Sequence, residues 1–132
     1  MKVLGIGVDV VETARIERSL EKFGDRFLHR VFTEGEIAYC APMPFSARHY
    51  AARFAAKESV SKAFGTGIGR HMGWRDIEVC RKESGEPFIV LHGGARELAE
   101  QLAVSDTFVS LSHSDHYSVA NAVVICGDAT AE

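Results

Sequence analysis

The chain has 132 residues, 46% of them hydrophobic, and 15 lysines and arginines against 18 aspartates and glutamates give a net charge of −3. This suits one domain over residues 1–126 with a frayed tail at 127–132, and it gives no general attraction to nucleic acid. No charge-free run approaches the roughly 20 apolar residues of a membrane helix, and the opening MKVLGIG lacks the apolar core of a signal peptide, so a cytoplasmic protein is expected.

The first predicted element is a strand over Val3 to Val10, a short run rich in β-branched residues. Alternation puts Leu4, Ile6, Val8 and Val10 on a greasy face and Val3, Gly5, Gly7 and Asp9 on the other. The two glycines leave Asp9 beside cleared space, since strand glycines usually mark a close approach to the backbone. Thr13 to Phe23 reads as a helix with Thr13 as N-cap, Ile16, Leu20 and Phe23 as its stripe and Gly24 as its stop. On its outer face Arg18 and Lys22 have Glu17 and Glu21 to balance them, whereas Arg15 and, beyond the helix, Arg26 lack an i,i+4 acid and, together with Arg30, suit an acidic partner.

Thr33 and Glu36 have capping-box spacing for a short helix, Pro42 and Pro44 break the chain, and Ser46 is a candidate cap for a long helix. That helix carries FAAKESVSKAFGTG from Phe54 to Gly67. Residues four apart lie one above the other, so Phe54, Glu58 and Lys62 form a stripe with Arg53 and Lys57 beside it. Gly65 supplies a left-handed terminator, and Gly67 and Gly69 keep the following backbone bare. The order is opposite to that of a P-loop, whose glycines precede the helix. Strands near Ile77 to Arg81 and Phe88 to Leu91 flank a turn, Ala95 to Leu102 is a further helix, and Phe108 to Ile125 reads as two strands joined through Ser114 and Asp115. In the first of these, Val109, Leu111 and His113 share one face, with His113 ending an otherwise apolar row.

Asp9 and Glu58 together would make a hard-oxygen site suited to magnesium, which takes one or two protein carboxylates and fills its octahedron with water and phosphate oxygens. Zinc is not indicated, because Cys40, Cys80 and Cys126 are far apart and no Cys-x-x-Cys or His-Glu-x-x-His occurs. Lys62, one turn beyond Glu58, could hold the same anion. The spacing equally suits an exposed Glu58–Lys62 ion pair, worth about 0.3–0.5 kcal/mol. Ser112 lacks the Gly-x-Ser-x-Gly elbow of a hydrolase nucleophile.

GIGVDVVETARI (Gly5 to Ile16), RFAAKESVSKAFGTG (Arg53 to Gly67), WRDIEVCRKESGEPFIVLHGGA (Trp74 to Ala95) and SLSHSDHYSVANAVV (Ser110 to Val124), in this order, resemble the holo-acyl-carrier-protein synthase family, the stand-alone 4'-phosphopantetheinyl transferases of bacterial fatty-acid synthesis. The resemblance implies an α+β fold, an antiparallel sheet packed against helices, and a homotrimer with sites between subunits. It implies Asp9 and Glu58 as magnesium ligands, Lys62 near the pyrophosphate of coenzyme A, Gly65, Thr66 and Gly67 along the coenzyme, His113 near its nucleotide end, and Arg53 as a further phosphate contact. Arg15 matches a first-helix arginine facing the acyl carrier protein. The least typical parts are Ala41 to Ser46 and the tail from Gly127, which bear on carrier preference.

The reaction implied is magnesium-assisted transfer of 4'-phosphopantetheine from coenzyme A to a serine of apo acyl carrier protein, releasing adenosine 3',5'-bisphosphate. Glu58 and water on the metal remain alternative bases. A phosphohydrolase using the same carboxylates and a non-catalytic coenzyme A or nucleotide-binding module are the rival readings.

Overall fold

A computed structural model describes residues 1–127 of the chain. The tail expected at 127–132 therefore lies outside the described residues except for Gly127, whose N–H donates to the Ala103 carbonyl at 2.7 Å. Strand β1 (Lys2–Glu12) pairs antiparallel with β5 (Tyr117–Cys126), which pairs antiparallel with β4 (Val104–His113). Strands β2 (Ile77–Arg81) and β3 (Pro87–Leu91) form a separate antiparallel hairpin. Among the described residues five α-helices complete the expected α+β fold: α1 (Thr13–Phe23), α2 (Asp25–Val31), α3 (Glu34–Cys40), α4 (Ser46–Ala63) and α5 (Gly93–Gln101). None of the described helices is long and apolar enough to cross a membrane.

Helix α4 is the spine of the core. Its buried face is built of small residues, including Ala52, Ala55, Ala56, Ser59 and Ala63, so its backbone can lie directly on the sheet. The sheet answers with small residues of its own. The register aligns Gly7, Ala122 and Val109 in one row, and Asp9, Ala120 and Leu111 in the next. A Cβ on Gly5 would sit 1.9 Å from the Ala63 carbonyl oxygen, and one on Gly7 would sit 1.8 Å from that of Ser59. The close approach inferred from these glycines is therefore made by a helix.

This contact sets the sidedness of β1. Ile6, Val8 and Val10 are 70%, 57% and 61% exposed, while the bare face that carries Asp9 turns inward. Only a glycine-lined face admits a helix backbone at that distance, and this requirement outweighs burial of the larger side chains. The opposite face of α4 is covered by α1, α3 and β2, so the helix is buried nearly all round. An amphipathic surface helix would have kept a solvated side.

At the helix ends, the Thr33 hydroxyl accepts from the Glu36 N–H at 3.2 Å and the Glu36 carboxylate accepts from the Thr33 N–H at 2.8 Å, completing the predicted capping box. Two other caps are corrected. Thr13 lies inside α1, where Glu12 is the N-cap without a side-chain bond, and Ser46 is the first residue of α4, preceded by Phe45 at φ 55°. The periodicity does not reveal α2 or the 3-10 turn Trp74–Asp76; each is too short to establish a hydrophobic period.

Candidate active site

Asp9 reaches the site because β1 presents its glycine face to α4. On α4, Lys62 bridges back to the strand: its Nζ donates to Asp9 Oδ1 at 3.0 Å and to the Val8 carbonyl at 3.1 Å. The helix-internal Glu58–Lys62 ion pair is replaced by this link between helix and strand. The pair is open to solvent on the lysine side, with the Lys62 side chain about half exposed.

Glu58, one turn before Lys62, has its carboxyl held above the usual range, first by burial and then by the neighbouring Asp9 carboxylate, against the opposing pull of Lys62 and Arg15. Two carboxylates and two cations thus share one electrostatic neighbourhood. The donor set fits a hard divalent cation, since a metal at Asp9 and Glu58 would relieve the repulsion that disfavours the charged form of Glu58. Among the described residues no group of three or more His, Cys, Asp or Glu is arranged around a metal position. A two-carboxylate site is the arrangement magnesium uses when substrate oxygens and waters supply the remaining ligands.

The segment after α4 runs Gly65, Thr66, Gly67, with Gly65 and Gly67 at φ 84° and 68°. Nothing lies within 4 Å of a Cβ placed on either glycine, so the segment is an open rail beside Lys62. Its amides are already used. Gly65 N–H donates to the Lys62 carbonyl at 2.9 Å, and Thr66 and Gly67 N–H both donate to the Ser61 carbonyl, at 3.2 and 3.1 Å. The rail offers bare backbone to a ligand and no free amide cradle.

Arg53 departs from the expectation. It is 1% exposed, its guanidinium lies 4.2 Å from the centre of the Tyr39 ring, and its Nη1 donates to the His49 carbonyl at 3.3 Å. Within one copy of the chain this guanidinium is packed in the core, with its Nε left without a partner. His113 is exposed at the end of β4, in the row after Asp9, Ala120 and Leu111, with its ring 5.7 Å from that of His49. His49 is held below the ordinary imidazole range by burial and by His113 and nearby arginines. His49 and Glu58 are nine positions apart on α4, about 13.5 Å of rise. His113 therefore stands apart from the carboxylates within one copy of the chain.

Arg15, Arg26 and Arg30 come together on one surface. They line a hollow of about 300 Å³ whose apolar walls include Phe23, Phe54 and Trp74. Among the described residues none of the three arginines makes a salt bridge. Arg15 sits 5.2 Å over the Phe54 ring, one turn before Glu58, so it belongs both to the hollow and to the electrostatic field of the carboxylates. The aromatic wall was not legible in the sequence, because Phe54 and Trp74 are 20 residues apart and meet only through the fold.

A second unforeseen feature is the buried pair Lys57–Glu36, at 2.7 Å with both side chains fully inaccessible. Burial pushes the Lys57 ammonium down, and the Glu36 carboxylate beside it opposes that push. Nothing in the one-dimensional spacing links the two residues.

Residues 5–122 match the sequence pattern of the 4'-phosphopantetheinyl transferase superfamily. A holo-[acyl-carrier-protein] synthase of Koribacter versatilis is 43% identical over 122 residues, covering 92% of this chain and 98% of the relative. One from Gloeobacter violaceus is 52% identical over 121 residues, 91% of each chain. Among solved structures, the holo-[acyl-carrier-protein] synthase of Neisseria meningitidis superposes with a TM-score of 0.87 at 31% identity, covering 93% of this chain and 98% of that one. The Helicobacter pylori enzyme, solved in complex with coenzyme A, gives 0.82 at 32% identity, with 91% and 99% covered.

Proposed function

This chain belongs to the holo-[acyl-carrier-protein] synthase family of 4'-phosphopantetheinyl transferases, and we propose that it moves 4'-phosphopantetheine from coenzyme A to a serine of apo acyl carrier protein at Asp9, Glu58 and Lys62. The observation that carries the assignment of residues is the junction at Arg15. There an arginine-lined hollow suited to an acidic macromolecule adjoins a carboxylate and lysine cluster suited to a phosphate. A phosphohydrolase or a nucleotide-binding module has no use for the hollow.

In this mechanism Lys62 turns its ammonium from Asp9 toward the pyrophosphate and offsets the charge that grows on the bridging oxygen. Glu58 accepts the proton of the carrier serine as that oxygen attacks the pantetheine-side phosphorus. A serine oxygen–phosphorus bond forms, and the bond from that phosphorus to the bridging oxygen breaks. Adenosine 3',5'-bisphosphate leaves with the electron pair. Asp9 and Glu58 would hold magnesium, which when bound supplies Lewis acidity at the pyrophosphate. The open rail Gly65 to Gly67 suits the coenzyme backbone, and His113 suits its nucleotide end, which coenzyme A is long enough to reach.

The outer sheet face supports a homotrimer with sites between subunits. Ile6, Val8 and Val10 continue across the sheet to Phe108, which is 58% exposed, and this apolar face needs a cover of its own kind. The setting proposed is the bacterial cytoplasm, with Cys40, Cys80 and Cys126 as free thiols, and the process is fatty-acid biosynthesis.

The test is release of adenosine 3',5'-bisphosphate from coenzyme A in the presence of magnesium. Release that requires apo carrier protein is expected. Release without carrier would identify a phosphohydrolase, and chelation-resistant binding without turnover would identify a binding module.

A further inference from the structure

The arginine hollow depends on where Trp74 sits, and the position of Trp74 is set from beneath by Lys57. This lysine is fully buried in α4, and its three N–H donors meet three acceptors: Glu36 Oε1 at 2.7 Å, the Trp74 carbonyl at 2.9 Å and the Ile77 carbonyl at 2.5 Å. Glu36 is equally occupied. It also accepts from the Thr33 N–H and, at 2.8 Å, from the Val79 N–H, so one ion pair ties α3, α4, the Trp74 turn and β2. Two carbonyls flanking a three-residue turn are thereby fixed to the helix that carries Glu58.

The ring of Trp74 stacks on Phe54 at 4.6 Å with 30° between the planes, and Arg15 lies over the same Phe54 ring. A buried ion pair gives little net stability compared with apolar residues of the same size, because desolvation offsets its attraction. Its value here is directional. A methionine in place of Lys57 would fill the space but could hold neither carbonyl.

We propose that Lys57, held by Glu36, is a positioning residue for carrier docking: by clamping the Trp74 turn it fixes the Phe54–Trp74 stack on which Arg15 is held. This rests on the reading of the hollow as the carrier-binding surface. It assigns Lys57 no contact with coenzyme A or carrier.

The experiment compares the steady-state kinetics of wild type and Lys57→Met with apo acyl carrier protein and coenzyme A as separate variables, alongside emission and acrylamide quenching of Trp74, the single tryptophan. Expected are a rise of about tenfold in KM for the carrier, a kcat within about twofold of wild type, an unchanged KM for coenzyme A, and a more readily quenched Trp74. A folded variant with wild-type carrier KM, or one that loses kcat and coenzyme A affinity instead, would overturn the inference. Should Lys57→Met fail to fold because Glu36 is left uncompensated, two variants replace it. Lys57→Met/Glu36→Gln removes both charges, and Phe54→Leu keeps the pair but deletes the stack; an unchanged carrier KM in either, once folded, overturns the inference. Wild-type protein that transfers nothing to the carrier would instead sink the functional reading itself.

Discussion

At the scale of single residues, the site is defined by how Asp9, Glu58 and Lys62 share charge. In the proposed mechanism Lys62 is the group that offsets developing phosphate charge, and Lys62→Met keeps its stem while deleting the ammonium. Turnover should fall about 100-fold or more, as for other lost transition-state electrostatics. If only the KM for coenzyme A rises, Lys62 binds and does not assist the chemistry. Glu58 gives a thermodynamic prediction. Its folded carboxyl sits above the ordinary value, chiefly through burial, so the unfolded chain releases that proton first as pH rises. Stability is therefore lost as pH climbs from the ordinary carboxylate range through the raised folded value. In metal-free protein Glu58→Gln should melt higher than wild type above that window and equal to it well below. Equal melting at neutral pH would show that Glu58 is not disfavoured as a carboxylate. Asp9 and Glu58 stood out in the sequence because Asp9 shares a strand face with Gly5 and Gly7 and Glu58 lies one helical turn before Lys62. The burial of Arg53 did not, because an arginine beside a functional stripe looks the same whether it faces solvent or Tyr39.

At the scale of elements, α1 and α2 present the arginines and α4 supplies the floor beneath them. Arg15→Glu should weaken transfer to carrier protein by about tenfold or more at low salt, flatten the salt dependence, and leave coenzyme A affinity unchanged, because surface charges act mainly on association. A charge-reversed variant with wild-type kinetics at low salt would move the docking surface elsewhere. Most elements were legible in the sequence: β1 from its β-branched run, the cap at Thr33 from its spacing to Glu36, and the end of α4 from Gly65. The element that meets the glycine face of β1 was not. Alternation shows which residues share a face, while the face that turns inward is set by Ser59 and Ala63 of a helix some fifty residues later. For the same reason Lys57 read only as a neighbour of the Glu58–Lys62 stripe, although its partner Glu36 lies 21 positions earlier in another helix.

At the scale of the whole molecule, Ile6, Val8, Val10 and Phe108 leave one sheet face apolar and exposed, and the proposed trimer covers it. Val8→Asp would place a charge within that contact at a cost of several kcal/mol for each buried, unpaired carboxylate. It should yield monomers by light scattering and lower transfer sharply, since the proposed trimer completes the site between copies. A Val8→Asp protein that remains trimeric would place the interface on another face. The central claim, that this cluster carries pantetheinyl transfer to a protein serine, is tested most directly by the intact mass of apo acyl carrier protein after incubation with enzyme, coenzyme A and magnesium. The predicted result is a gain of one phosphopantetheine with wild type and no gain with folded Asp9→Ala or Glu58→Ala. An unmodified carrier beside active wild-type hydrolysis of coenzyme A, or full modification by either alanine variant, would contradict it.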